Sequence, residues 1–113
     1  MTTLYGIKNC DTVRKARKWL EAENIEYTFH DVRSDGLDKK DLCAWVKSVG
    51  WEALLNRRGT TWRKLPDKDK ETINETNAIQ LMLAQPALIK RPVLLHKKSI
   101  HVGFKSAEYA TFF

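Results

Sequence analysis

Two cysteines and a handful of arginines are the residues of this 113-residue chain best suited to covalent chemistry. Cys10 lies in the stretch Leu4-Tyr5-Gly6-Ile7-Lys8-Asn9-Cys10-Asp11-Thr12-Val13-Arg14, where an apolar run hands over to a polar–apolar pattern rich in Lys and Arg. A thiol attacks as its thiolate, and its ordinary pKa near 8.5 falls when the N–H groups of a helix start or nearby cations favour the anion. Both sources are at hand: Asp11 or Thr12 can cap a following helix, Lys8 precedes the cysteine by two residues, and Arg14 falls on the first turn. The N–H groups of that turn can also hold an anionic group against the sulfur. Val13 stands where a C-x-x-C motif would put a second cysteine, so releasing a mixed disulfide from Cys10 requires an external thiol.

Arg57, Arg58, Arg63 and Arg91 can supply the other half of such a site, because guanidinium matches carboxylates and oxyanions in bidentate geometry. Each taken alone reads equally well as a solvated surface arginine. The pair Arg91-Pro92 is more informative: a proline directly before a strand is a position where a cis bond sets backbone polar groups opposite a site. Cys43, in contrast, lies on the flank of an apolar helical stripe and reads as a packing thiol. His30, His96 and His101 show no metal-ligand spacing with either cysteine, and no metal site is expected. In a reducing compartment two such cysteines stay free thiols.

The elements that must position these residues follow from periodicity. Thr2 to Ile7 alternates weakly and reads as a strand. Val13, Ala16 and Leu20 then share one face of a helix, with Arg14, Lys15, Arg17 and Lys18 largely on the other. Ile25, Tyr27 and Phe29 alternate with Glu26, Thr28 and His30, the period of a half-buried strand. Strand, helix and strand in so short a span imply a parallel pair with a right-handed crossover. After Ser34-Asp35-Gly36, Asp38 caps a helix whose Leu42, Trp45, Val46 and Val49 recur at i, i+3, i+4 and i+7, and Gly50 ends it. Trp51 to Leu55 is a short apolar piece, Asn56 to Lys64 reads as loop, and a polar stretch follows around Asp67 to Glu71. Asn74 or Thr76 caps a further helix carrying Ala78, Ile79, Met82 and Leu83 until Gln85-Pro86. Val93 to Leu95 and Ser99 to Val102 form a hairpin candidate turning at Lys97-Lys98, and a short helix over Ala107 to Phe113 closes the chain.

The order strand, helix, strand, helical insertion, strand, strand, helix predicts an α/β fold in one domain, residues 1 to 113, with the insertion at about 38 to 85. A composition of 42% hydrophobic and 30% charged residues suits a globular domain, and no stretch approaches a membrane span. The chain opens on a strand rather than a secretory signal, so the expected location is cytoplasmic. The net charge of +6 raises the question of nucleic acid, but the Lys and Arg residues are spread along the whole chain and argue against that partner.

Four stretches together resemble the arsenate reductase (ArsC) and Spx family, and within it the YffB branch. They are Leu4 to Thr12, Ala53-Leu54-Leu55-Asn56-Arg57-Arg58-Gly59-Thr60, Lys90-Arg91-Pro92 and Val102-Gly103-Phe104. The resemblance implies a thioredoxin-like (glutaredoxin-type) mixed sheet with a helical insertion. It implies a glutathione-dependent thiol reductase, with Cys10 as nucleophile and glutathione as co-substrate. Lys8, Asn9, Arg57, Arg91 and Pro92 are then the candidates for binding glutathione or another thiol or disulfide substrate, and glutaredoxin is a further partner. In the family's true arsenate reductases one cysteine works with three arginines. The cysteine corresponds to Cys10 and one arginine to Arg91, but Asn56 stands where those enzymes read Ala-Leu-Leu-Arg, and Phe104-Lys105 replaces the third. Each lost charged hydrogen bond to a dianion costs about 1.5 to 3 kcal/mol, which makes arsenate reduction the second reading. A third is an Spx-like redox regulator binding RNA polymerase; there Val13 removes the C-x-x-C switch.

Overall fold

The first strand, β1 (Thr2–Gly6), buries Thr2, Leu4 and Gly6 and leaves Thr3 and Tyr5 half-exposed, the alternation of a strand covered on one face. The computed structural model describes residues 2 to 113, and they divide into two compact units, one running to Gly36 and resuming at Arg91–Phe113, the other Leu37–Lys90.

In the first unit, helix α1 (Asp11–Ala22) buries Val13, Ala16 and Leu20, the stripe expected from its sequence. It ends in a Schellman turn: Ile25 N–H reaches Leu20 C=O at 2.9 Å and Asn24 N–H reaches Glu21 C=O at 3.1 Å. Asn24 takes the left-handed conformation at φ 57 that this turn needs. The chain is therefore still unwinding from the helix at Ile25, and β2 (Thr28–Asp31) starts later than the alternation alone predicts. Ile25 and Tyr27 still pack on the core, but from the connection rather than from the ladder. β1 pairs with β2 in parallel and with β3 (Val93–His96) antiparallel, and β3 pairs antiparallel with β4 (Ser99–Val102), for a mixed sheet of order β2-β1-β3-β4. The β3–β4 turn places Lys97 at φ 48 and Lys98 at φ 69, the paired left-handed conformations of a tight hairpin. The final helix, α7 (Ser106–Phe112), sends Tyr109 into the core beside Leu4, Ala16, Leu20 and Leu94.

The second unit is helical. Asp38 caps α2 (Lys39–Val49) by accepting the Lys40 N–H at 3.0 Å, and Gly50 ends it at φ 88. The stretch read as loop holds the short helix α4 (Thr60–Arg63), while the apolar piece before it forms α3 (Trp51–Leu54) and the polar stretch after it α5 (Asp67–Glu71). Each is one turn or slightly more, too short to develop an apolar period and unstable without tertiary packing, which is why pattern alone passes over them. Asn74 caps α6 (Glu75–Ala84) by accepting from the Asn77 N–H at 2.9 Å, and a 3-10 turn, Pro86–Leu88, follows. That turn is tied back to α3: Asn56 N–H donates to Leu88 C=O and Lys90 N–H to Leu54 C=O, both at 2.7 Å.

Candidate active site

Cys10 takes the N-cap position of α1, in extended conformation (φ −120, ψ 124), with its carbonyl accepting the Arg14 N–H at 2.9 Å. Asp11 and Thr12, the stronger caps by residue type, are displaced from that role. Asp11 is already helical, and its carboxylate accepts from Arg14 Nη1 at 2.7 Å instead. The thiol makes no capping hydrogen bond of its own, so the first-turn N–H groups are left to act on whatever charge the sulfur carries. Burial pushes the half-buried Cys10 thiol up. The Val13 N–H, the Arg91 side chain as donor and as charge, and the Thr12 N–H together outweigh burial and hold it below its ordinary value.

That first turn is pressed onto the sheet at one contact. A methyl group added at Gly6 would lie 2.8 Å from Cγ2 and 3.0 Å from Cγ1 of Val13, so only a residue without Cβ lets the helix start come this close to β1. Val13 is fully buried. The place where a second cysteine would sit is occupied by a core side chain.

The remaining sequence candidates divide between the units. Lys8 and Asn9 are exposed on the loop that leads to Cys10, and Asn9 Oδ1 accepts from Arg14 Nη2 at 3.3 Å. Arg91 is half-exposed with its guanidinium at the Cys10 sulfur, joined by a cis bond to buried Pro92. Pro92 C=O accepts the N–H of Gly103 at 2.8 Å, with Gly103 at φ 84. The Arg-Pro and Val-Gly-Phe stretches, separate in sequence, are thus one hydrogen-bonded unit at the end of the β3–β4 hairpin. Arg57 belongs to the second unit, where its guanidinium lies 5.7 Å from the Trp51 ring and 5.6 Å from the Trp62 ring. Beside it, Asn56 Oδ1 accepts the Arg58 N–H at 3.2 Å. Cys43 is half-buried in the middle of α2.

One residue of this region escaped sequence reasoning. Asp31, at the end of β2, is buried, and its carboxylate accepts N–H groups from Lys8 at 3.1 Å, Arg33 at 2.8 Å and Ser34 at 3.0 Å. Burial pushes this carboxyl up, but the Ser34, Lys8 and Arg33 N–H bonds and the Lys8 charge hold it below the usual range. An Asp two and three residues before the N–H groups it accepts is a common turn signal; its bond to Lys8, far away in sequence, carries no local signature. Among the described residues no three His, Cys, Asp or Glu side chains cluster as a metal site, and no helix is long and apolar enough to cross a membrane.

The ArsC family model matches residues 5 to 112, nearly the whole of this construction. The chain belongs to the ArsC family. A solved YFFB protein of the family is 49% identical and superposes with a TM-score of 0.94, covering 99% of this chain and 98% of its own. An arsenate reductase (ArsC) related protein from Brucella melitensis is 53% identical with a TM-score of 0.80, covering 99% and 93%. The global transcriptional regulator Spx 1 of Oceanobacillus iheyensis is 30% identical over 99% of this chain and 86% of its own length. The ArsC-family fold is thioredoxin-like, and the mixed sheet with its helices is an instance of it.

Proposed function

We propose that the protein is a glutathione-dependent thiol–disulfide reductase with Cys10 as its single nucleophile. The observation carrying this reading is the half-buried Cys10 at the start of α1, with the Val13 and Thr12 N–H groups and the Arg91 guanidinium favouring its thiolate. The Cys10 thiolate attacks the glutathione sulfur of a mixed disulfide between glutathione and a substrate thiol. A Cys10–glutathione disulfide forms, and the substrate leaves as a thiolate that takes a proton from water. Glutathione, as thiolate, then attacks the glutathione sulfur of that disulfide; oxidised glutathione leaves and the Cys10 thiolate is restored. With Val13 at the C-x-x-C position, the second thiol has to come from outside, and glutaredoxin can supply it in place of glutathione.

Arg91 suits a carboxylate of glutathione as well as the thiolate, since one guanidinium offers five donors. Lys8 and Asn9 add polar groups on the loop leading to Cys10, and Pro92 shapes the wall; Arg57, in the second unit, is the further arginine suited by type to a glutathione carboxylate. Two lone reduced cysteines fit the cytoplasm. Arsenate fits less well, because Asn56 stands where the family's arsenate reductases place an arginine and brings no charge for a dianion. A second reading, a regulator binding RNA polymerase, is favoured by the likeness to Spx 1.

Alkylation of Cys10 by iodoacetamide across a pH series tests the main reading. The expected apparent pKa lies below the free-thiol value of about 8.5. Glutathione should slow the alkylation, less so in Arg91→Ala, and a glutathionylated peptide should be reduced in the presence of glutathione. An ordinary thiol pKa with no protection by glutathione sinks it. Co-purification with polymerase, undiminished in Cys10→Ser, would instead support the regulator.

A further inference from the structure

Asp31 is a carboxylate withdrawn almost entirely from water, 4% exposed, in a place where the turn after β2 asks for less than it provides. Its Oδ1 accepts from Arg33 and Ser34 N–H at 2.8 and 3.0 Å, and that pair of bonds closes the turn. A serine or asparagine closes such turns with a single oxygen. The second oxygen, Oδ2, reaches out of the turn and accepts the Lys8 N–H at 3.1 Å. Burying an ionised group is costly unless all its lone pairs are used, so the extra oxygen has to be explained by what it holds.

What it holds is the segment that delivers the nucleophile. Gly6 C=O accepts the Val32 N–H at 2.9 Å, which carries the β1–β2 pairing to the end of β1. Lys8 then starts the three-residue loop Lys8-Asn9-Cys10, whose far end is fixed by the Arg14 N–H on Cys10 C=O and by Arg14 Nη2 on Asn9 Oδ1. Resting on the reading of Cys10 as the reacting thiol, we propose that Asp31 is a positioning residue for it: by holding the Lys8 N–H, the buried carboxylate fixes the near end of the loop and so keeps the Cys10 sulfur facing the Val13 and Thr12 N–H groups and the Arg91 guanidinium.

The test separates the Lys8 bond from the turn. Asp31→Ser keeps an oxygen for the Arg33 and Ser34 N–H groups but cannot reach Lys8. Asp31→Asn keeps Oδ1 and presents an NH2 to the Lys8 N–H. Asp35→Ala is the control, because Asp35 Oδ2 accepts the Asp31 N–H at 3.2 Å and does not touch the loop. In both Asp31 variants the Lys8 amide should exchange with solvent about tenfold faster by NMR, and Cys10 alkylation at neutral pH should slow by about threefold to tenfold, with its pH profile moved to higher pH. Asp35→Ala should leave profile and Lys8 exchange at wild type. Should Asp31→Asn fail to fold, Asp31→Ser decides the matter alone. A wild-type alkylation profile in a folded Asp31 variant, or an equal shift in Asp35→Ala, overturns the proposal. An ordinary thiol pKa in the wild-type protein would instead sink the reductase reading; Asp31 is then judged on Lys8 exchange and on the change in Cys10 alkylation rate between wild type and variant.

Discussion

Cys10 and Cys43 are both half-buried free thiols, so access to solvent does not distinguish them. Their positions along a helix do. Cys43 sits in the interior of α2, where each backbone N–H is committed to a carbonyl one turn earlier and none is left over for a sulfur. Cys10 sits at the one position of α1 where the N–H groups ahead of it have no intrahelical partner, and Arg91, two residues before β3, adds a charge. What favours a thiolate at Cys10 is thus a set of orphaned donors and one cation rather than exposure.

Removing each thiol in turn is the harshest way to break that comparison. Cys10→Ser should bring reduction of a glutathionylated peptide to the uncatalysed level, whereas Cys43→Ser should leave it within about twofold. Equal losses in the two variants would mean the helix-start argument is misplaced.

The next effect comes from Gly6. Gly6→Ala drives a methyl into the Val13 side chain, whose branched, fully buried methyl groups cannot swing aside, so either β1 or the start of α1 must shift. Overpacking of this kind costs about 1 to 3 kcal/mol. It should also slow alkylation of Cys10 while leaving Cys43 untouched, and Val13→Ala in the same chain should restore both stability and reactivity. Urea unfolding and residue-resolved alkylation read the two effects separately. Loss of stability with no change at Cys10 would show that the thiol's setting does not depend on how closely the helix approaches the sheet.

The contrast between the cysteines was partly legible in the sequence, and the limits are instructive. The strand-to-helix handover at Cys10 was visible because Val13, Ala16 and Leu20 keep a helical period. Arg91 was visible because a proline follows it. That Cys10 itself, rather than Asp11 or Thr12, takes the cap position was not, since residue preference favours the oxygen side chains. The helices α3, α4 and α5 were hidden by their shortness. So was the placement of Arg57 within reach of both the Trp51 and Trp62 rings, which depends on how that irregular stretch folds rather than on spacing. Asp31 was hidden because its deciding partner is an N–H, which every residue but proline carries.

Arg91→Ala sharpens the comparison more gently. A hydrogen bond to a charged group contributes about 1.5 to 3 kcal/mol, and the half-exposed setting reduces that through solvent screening. Cys10 alkylation at neutral pH should slow by about fivefold, with Cys43 as the internal control in the same sample. A change confined to glutathione protection, with the alkylation rate of the free protein unaltered, would assign Arg91 to ligand binding alone.

The smallest effect is a linkage between folding and pH that Cys10 should show and Cys10→Ser should lack. The native thiol holds its proton less tightly than the unfolded thiol, whose pKa is the ordinary value of about 8.5. Between the lowered native value and about 8.5, unfolding therefore takes up a proton, and stability relative to Cys10→Ser must rise with pH. The contribution is fully present above the unfolded value and disappears as pH falls through the native one. At so solvent-accessible a sulfur it should stay below about 1 kcal/mol. Urea melts of the two proteins under reductant, from mildly acidic to mildly alkaline pH, read it as a widening gap between their midpoints. A gap that stays constant, or narrows as pH rises, would mean that the N–H groups and Arg91 do not favour the thiolate in the folded chain. The distinction drawn between the two cysteines would then rest on geometry alone.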